Sequence, residues 1–117
     1  MSIASDLIRG HTDTIILAQL ERHDSYGYEI NKVVQSVTGG EYELKEATLY
    51  SAFRRLEKGG CIQSYWGDEN SGARRRYYRI TPIGRALLEN NRKEWERSRR
   101  LLDLMILGGD SYDGGEA

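Results

Sequence analysis

The chain has 117 residues, of which 38% are hydrophobic and 30% are charged, and its net charge is −1. This length fits one domain with a small core and is too short for a scaffold with a deep catalytic cleft. No apolar run approaches the ~20 residues that span a bilayer, and the N-terminus lacks a signal peptide's basic start, so we expect a cytoplasmic protein.

The first two helices are predicted from apolar residues at helical spacing. One helix runs from about Ser5 to Arg22, with Ser5 or Asp6 as its cap. Gly10 weakens this helix, so residues 1–9 form either its first turns or a separate turn. Asp24-Ser25 is a capping pair for a second helix, Tyr26 to about Thr38. Its predicted apolar face consists of Ile30, Val33, Val34 and Val37.

Two features flank this second helix. Gly27, which has no side chain, allows another helix to pack closely against its start. After the Gly39-Gly40 stop, Glu41 to Leu44 alternates charged and apolar residues, and it is predicted to form a third strand beside a hairpin.

A third helix and a hairpin follow between Leu44 and Thr81. Leu49, Phe53 and Leu56 recur at i, i+4 and i+7, which predicts one buried helical face. Gly59-Gly60 ends this helix. Ile62–Gly67 and Arg74–Thr81 are predicted strands, joined by a turn at Asp68–Gly72. A polar-faced helix followed by a basic hairpin is typical of a winged helix-turn-helix.

The charge distribution supports a nucleic-acid partner. Residues 45–85 hold nine Lys/Arg against four Asp/Glu, so this segment carries +5 while the rest of the chain carries −6. Three consecutive arginines, Arg74 to Arg76, begin the second strand. Alternation along a strand places Tyr78 and Ile80 towards the core and lets the arginines diverge near the exposed tip. A basic cluster is either solvated surface or a surface that meets phosphate, and the helix-hairpin pattern favours phosphate.

The last predicted helix is long enough to leave the domain. Thr81 caps it and Pro82 takes its first position, and it runs to about Leu107, roughly 40 Å. A seam of residues repeats along it at heptad-like spacing, which predicts pairing with a second copy. The seam residues are Leu88, Asn91, Trp95, Ser98, Leu102 and Met105. The apolar surplus of the first helix supplies a second surface for the same partner.

Six motifs carry a resemblance to a known family. They are RGHTDTIIL at Arg9–Leu17, YGYEI at Tyr26–Ile30, KEATLY at Lys45–Tyr50, RRLEKGG at Arg54–Gly60, SYWG at Ser64–Gly67 and RRRYYRITPIGR at Arg74–Arg85. In this order the set resembles the PadR family of transcriptional regulators. The resemblance implies a homodimeric repressor with a winged helix-turn-helix and a C-terminal dimerisation helix, bound to an inverted-repeat operator in double-stranded DNA.

The expected architecture is therefore mainly α with a small β-hairpin. Residues 1–81 form the DNA-binding domain, residues 82–107 the dimerisation helix, and residues 108–117 a disordered acidic tail. Eight residues are expected at the DNA, the first five at the major groove and the arginines at the flanking backbone. They are Lys45, Thr48, Tyr50, Ser51, Arg54, Arg74, Arg75 and Arg76.

An effector site is expected around Trp95. A tryptophan on the seam is either ordinary packing or one wall of a gap between paired helices. Members of the family that the chain resembles respond to phenolic compounds or drug-like cations, which favours a planar aromatic effector that releases the repressor. The expected lining is Leu88, Asn91, Trp95, Ser98 and Leu102.

No enzymatic activity, cofactor or metal site is predicted, because no paired nucleophile and base, phosphate loop or metal-ligand spacing occurs. Cys61 is expected to be a buried thiol, and His11 to have a structural or near-DNA role. The alternative function is a winged helix that binds an acidic protein without specific DNA binding, since fold does not dictate function.

Overall fold

A computed structural model describes residues 3–67 and 74–108. Its elements are α1 (Ile3–Arg9), α2 (Thr12–Arg22), α3 (Gly27–Val37), α4 (Glu46–Lys58), β1 (Ile62–Trp66), β2 (Arg76–Ile80) and α5 (Pro82–Leu107). The two strands form one antiparallel hairpin. The expected fold class is confirmed: mostly helical, with a small hairpin and a long last helix. The predicted turn at Asp68–Gly72 and the predicted tail beyond residue 108 lie outside the described residues.

One hydrophobic core holds these elements together. It takes side chains from α2, α3, α4, both strands and the start of α5, and the predicted inner face of α4 is confirmed. The largest fully buried side chains are Phe53, Ile16, Leu17, Leu20, Ile30, Leu44, Ile62 and Leu88. Cys61 is buried at the edge of this core, as expected from its position between Gly60 and Ile62.

The N-terminal segment is a helix of its own. α1 ends at Arg9 and α2 begins at Thr12, so the chain breaks around Gly10 as its helix-weakening effect indicates. Ser5 and Asp6 do not cap this helix, because it already begins at Ile3. Asp6 instead accepts a hydrogen bond from Arg9, 2.7 Å away and one turn later.

The predicted Asp24-Ser25 cap of α3 is wrong. Tyr26 occupies the N-cap position, and no side chain caps this end. Ser25 is drawn into the sheet, where its N–H donates to the carbonyl of Tyr78 over 3.2 Å and its carbonyl accepts from the Tyr78 N–H over 2.8 Å. The Ser25 hydroxyl donates to the carboxylate of Glu29.

The predicted third strand at Glu41–Leu44 is also wrong. This segment forms no strand, because the side chain of Asn31 takes the backbone groups of Leu44 that a strand partner would use. The bridge at Ser25 occupies the third position of the sheet. Val37, assigned to the inner face of α3, is 73% exposed because it lies in the last turn before the Gly39-Gly40 stop.

The hairpin and α5 are joined by a capped corner. Ile62 pairs with Ile80 and Trp66 with Arg76, so the strands end before Arg75 and Arg74. As predicted, Thr81 caps α5: its hydroxyl oxygen accepts from the Gly84 N–H at 3.1 Å and its hydroxyl donates to the Gly60 carbonyl at 2.6 Å.

α5 extends beyond the folded domain. Its 26 residues are about 39 Å long, and they help to give the described residues a longest dimension of 60 Å. Its buried residues are confined to its first two turns, Gly84 and Leu88. Asn91 and Arg92 contact α2 further along the helix, and the exposed apolar side chains of its last two turns are available to a partner.

Candidate nucleic-acid interface

The outer face of α4 carries the side chains that were expected at the major groove. Lys45 at its N-cap and Arg54 on the face away from the core are exposed, and Tyr50 is 40% exposed. Thr48 and Ser51 are half-buried. Thr48 faces a different side, where it lines a shallow cleft with Lys45 and residues of α1. The five residues therefore wrap around the helix rather than forming one row.

Tyr50 is held in place by its neighbours. Its ring meets that of Phe53 edge-on, with centroids 5.6 Å apart. A Cβ on Gly27 would lie 3.0 Å from the Tyr50 hydroxyl and 3.2 Å from Leu49. The absent side chain at Gly27 thus lets α3 and α4 approach, which supports the close packing inferred from the sequence. Tyr50 combines a packing role with an exposed edge.

Asn31 fixes the entry into α4. Its amide donates to the Leu44 carbonyl at 2.9 Å, and its side-chain oxygen accepts from the Leu44 N–H at 2.8 Å. Leu44 is 1% exposed. A buried extended residue needs such partners for its backbone, and Asn31 supplies both. This role of Asn31 was not predicted from the sequence, where the only sign of it is the short extended segment before α4.

Arg55 braces α4 against α2 and does not project freely into solvent. Its guanidinium contacts the carboxylate of Asp13 on α2 through two nitrogens, at 2.5 and 3.3 Å. The hydrogen bond and the charge of Asp13 raise the pKa of Arg55 above its ordinary value. The pair is well exposed and contributes little to stability, but it links the outer side of α4 to α2.

The hairpin, referred to below as the wing, is linked to the end of α4. The Ser64 hydroxyl donates to Glu57 at 2.7 Å and accepts from the Arg76 guanidinium at 2.7 Å. Arg76 also lies 3.8 Å from the Glu57 carboxylate. Since Glu57 is one turn beyond Arg54, the outer face of α4 continues onto the wing without a gap.

The three wing arginines point to different sides. Arg74 lies over the Trp66 ring, 4.7 Å from its centroid, and Arg76 is 5.6 Å from the same centroid. Arg75 instead lies 4.9 Å from the ring centroid of Tyr26. This agrees with the predicted divergence at the tip. The part played by Trp66 was not anticipated, although its pairing position opposite Arg76 was a signal for it.

The opposite face of the wing is anchored to the loop before α3. The Tyr65 hydroxyl donates to the Asp24 carboxylate at 2.6 Å. This hydrogen bond is the main reason that the pKa of Tyr65 is raised. Tyr77 stacks on Tyr65 at 5.7 Å and meets Tyr26 edge-on at 5.1 Å. The aromatic face therefore holds the wing in one orientation.

Two exposed residues at the start of α3 extend the basic surface. Tyr28 is 67% exposed, and the Lys32 ammonium lies 5.6 Å from its ring centroid. Tyr28 lines a small cleft with Asn31 and Tyr50. Neither Tyr28 nor Lys32 was among the predicted contacts, yet Tyr28 adjoins the first two turns of α4.

The residues expected at an effector site do not all face one space. Leu88 is fully buried in the core, and the Asn91 amide donates to the Thr14 hydroxyl at 2.9 Å. Asn91, Trp95 and Ser98 line a cavity of about 230 Å³ beside Thr14. Leu102 is exposed further along α5.

Trp95 separates this polar cavity from an apolar one. Its side chain is 41% exposed and meets the ring of His11 edge-on, with centroids 5.2 Å apart. On the other side lies a cavity of about 290 Å³ between α1, α2 and α5, lined mainly by apolar atoms. The lining consists of Ile8, His11, Thr14, Ile15, Ala18, Arg92 and Trp95. The His11 ring is thus a structural neighbour of Trp95.

The end of α5 is strongly apolar. Its exposed residues, 38–72% accessible, are Leu101, Leu102, Met105, Ile106 and Leu107. Within residues 3–67 and 74–108, no group of three or more His, Cys, Asp or Glu side chains is arranged to hold a metal ion. In the same ranges no helix has the length and hydropathy needed to cross a membrane.

Comparison with known proteins agrees with this geometry. The model of the transcriptional regulator PadR-like family matches residues 16–90. The crystal structure of a PadR family transcription regulator from Clostridium difficile is 38% identical, with a TM-score of 0.71, and covers 82% of this chain and 98% of its own. The structure of a transcriptional regulator from Clostridium thermocellum is 50% identical, with a TM-score of 0.82 and coverage of 90% and 99%. A transcriptional regulator of Mycobacterium tuberculosis is 35% identical over 71% of this chain and 73% of its own.

Proposed function

The chain belongs to the PadR-like family of transcriptional regulators, and from that membership we propose that it is a homodimeric, sequence-specific repressor. Regulation of transcription through DNA is the function of this family, whose members are not enzymes. The observation that carries the proposal is the continuous surface from Tyr50 and Arg54 on α4 to the arginines of the wing. As a regulator, the protein would act in the cytoplasm.

In the proposed complex α4 enters the major groove. Tyr50 and Arg54 have the exposed edges and donors that read base pairs, while Lys45, Thr48 and Ser51 contact backbone or bases at the start of the helix. The wing arginines lie at the neighbouring phosphates. The bracing of α4 by Arg55 and Asp13 supports this arrangement, because a recognition helix must be held at a fixed angle.

The dimer is proposed to form through α5. The last two turns of this helix expose large apolar side chains beyond the domain, and Leu7 of α1 is 53% exposed as well. A second copy packed against both would remove this surface from water. Two-fold pairing sets the two α4 helices about one turn of DNA apart, ~34 Å, or a multiple of it, which is why an inverted-repeat operator is expected.

DNA binding can be tested with a duplex selected by the protein from a random-sequence pool. Replacing Arg74, Arg75 and Arg76 together by alanine should weaken binding and lower the salt dependence by about 0.9 for each phosphate that is no longer neutralised. Replacing Arg97, Arg99 and Arg100 on α5 removes the same charge elsewhere and serves as the matched control. Equal affinity and salt dependence in both triple variants would refute the assignment of the wing.

We also propose that a planar aromatic effector binds beside Trp95 and releases the repressor. The half-exposed Trp95 ring next to a 290 Å³ apolar cavity supports this site, since flat apolar ligands favour aromatic walls. Binding between two subunits would change the spacing of their α4 helices.

Tryptophan fluorescence during titration with planar aromatic dyes tests the effector site. Trp95→Ala should abolish the quenching and weaken binding, whereas Trp66→Phe removes only the background signal from the wing. Unchanged dye affinity in Trp95→Ala would place the ligand elsewhere.

A further inference from the structure

Trp66 has an unusual position on the wing. It ends β1 opposite Arg76, on the face that looks towards α4, and 52% of its surface is exposed. The guanidinium carbons of Arg74 and Arg76 lie 4.7 and 5.6 Å from its ring centroid. Two cations therefore share one aromatic ring at the place where the wing would meet DNA.

These contacts help to order two long side chains. Arginine has many rotamers, and fixing one on association costs affinity. A guanidinium within about 6 Å of a tryptophan ring is attracted by the ring quadrupole. Arg76 is also held by Ser64 and Glu57. Arg74 lies outside both strands, and its guanidinium contacts the ring directly.

The anchoring of the wing itself lies on its other face. Tyr65, Tyr77 and Asp24 tie that face to the rest of the domain, and Tyr78 stacks on Phe53 below the tip at 4.0 Å. Trp66 is half-exposed and is not a member of the core cluster. Stability of the fold is therefore not the reason for an aromatic ring at this position.

We propose that Trp66 is a positioning residue that holds Arg74 and Arg76 ready for the DNA backbone. This inference rests on the proposed contact between the wing and DNA. It predicts that the ring increases affinity without itself contributing a phosphate contact. Loss of the ring leaves both arginines able to reach phosphate, but it removes a contact that helps to order them before DNA binds.

A double-mutant cycle tests this role, with affinity measured by fluorescence anisotropy on the selected duplex. Trp66→Ala should weaken binding roughly 5- to 30-fold, because Arg74 and Arg76 each lose the cation–π contact that helps to order them. The salt dependence should stay within experimental error of wild type, since the phosphate contacts remain. Trp66→Phe keeps a ring and should recover most of the affinity. Gln63→Ala, an exposed change on the same strand, is the matched control.

The cycle is completed by Trp66→Ala in a chain that already carries Arg74→Ala and Arg76→Ala. There the removal of the ring should change affinity less than about 2-fold, since no arginine remains to be positioned. An undiminished effect in that background, or a reduced salt dependence in Trp66→Ala alone, would mean that the ring itself contacts DNA and would overturn the inference. If Trp66→Ala bound DNA like wild type while the arginine variants bound weakly, the role of Trp66 would be wrong but the wing contact would stand. If the arginine variants also bound like wild type, the proposed wing contact would be wrong as well.

Discussion

Gly84 lies at the closest approach between α5 and the rest of the domain. A Cβ at this position would stand 2.2 Å from the carbonyl oxygen of Cys61 and 2.8 Å from a side-chain carbon of Ile80. The same Cys61 oxygen accepts a hydrogen bond from the Thr81 N–H at 3.0 Å. Replacing Gly84 by alanine therefore requires α5 to move away from the backbone on which its first turn rests.

The size of the effect follows from this geometry. Ordinary van der Waals contacts of a Cβ are 3.4–4 Å, so the helix must shift by about 1 Å. Overpacking of this kind costs about 1–3 kcal/mol, and straining the Thr81 hydrogen bond adds about 1 kcal/mol. The better helix propensity of alanine offsets at most about 1 kcal/mol of this loss in stability. We expect a net decrease of about 2 kcal/mol in the free energy of unfolding.

Urea denaturation at one fixed protein concentration measures this decrease, because dimerisation makes stability depend on concentration. Gly59→Ala is the matched control: the backbone there has φ −81°, and its Cβ would meet nothing nearer than 3.5 Å. We expect that variant to remain within about 0.5 kcal/mol of wild type. If Gly84→Ala were as stable as Gly59→Ala, the close approach would not constrain this position and the reasoning would fail.

Two further substitutions test the contacts that orient α4 and the wing. Asn31→Ala should lower the free energy of unfolding by about 2 kcal/mol, since two hydrogen bonds to the buried backbone of Leu44 disappear. Gln35→Ala is the control: it removes an exposed contact one turn away and should change the free energy of unfolding little. Equal midpoints in urea for these two variants would contradict the role of Asn31. Tyr65→Phe should cost about 1 kcal/mol at pH 7 by removing the bond to Asp24. Because the folded-state pKa of Tyr65 is raised, this stabilisation is complete below pH ~10 and is lost as pH rises through the higher folded pKa. A difference between wild type and variant that grew at high pH would refute it.

Several features could be predicted because their causes are local. The spacing of Leu49, Phe53 and Leu56 gives the inner face of α4, and Thr81 followed by Pro82 gives the start of α5. The Gly59-Gly60 stop ends α4 as expected, with Gly60 at φ +78°, in the region where glycine is favoured. Such signals act within one or two helical turns, so neighbouring residues are enough to read them.

Two of the wrong predictions, the Asp24-Ser25 cap and the strand at Glu41–Leu44, have one physical origin. Asp24-Ser25 has the composition of a helix cap, yet the backbone of Ser25 pairs with Tyr78, which lies 53 residues later. Glu41–Leu44 alternates like a strand, yet Asn31 already uses the polar groups of Leu44. Local propensity favours one secondary structure for a segment, but the segment adopts another when a residue distant in sequence satisfies its backbone hydrogen bonds.

The sequence by itself determined the helices from α3 onward, the hairpin, the inner face of α4 and the basic segment, because periodicity, glycine stops and charge are properties of neighbouring residues. Only the tertiary structure decided which partner each polar or aromatic side chain takes. The contacts Tyr65–Asp24, Arg55–Asp13 and Asn91–Thr14 join residues 41, 42 and 77 positions apart. Such pairs produce no periodic pattern in the sequence, since they form only when the packing of the core brings their elements together.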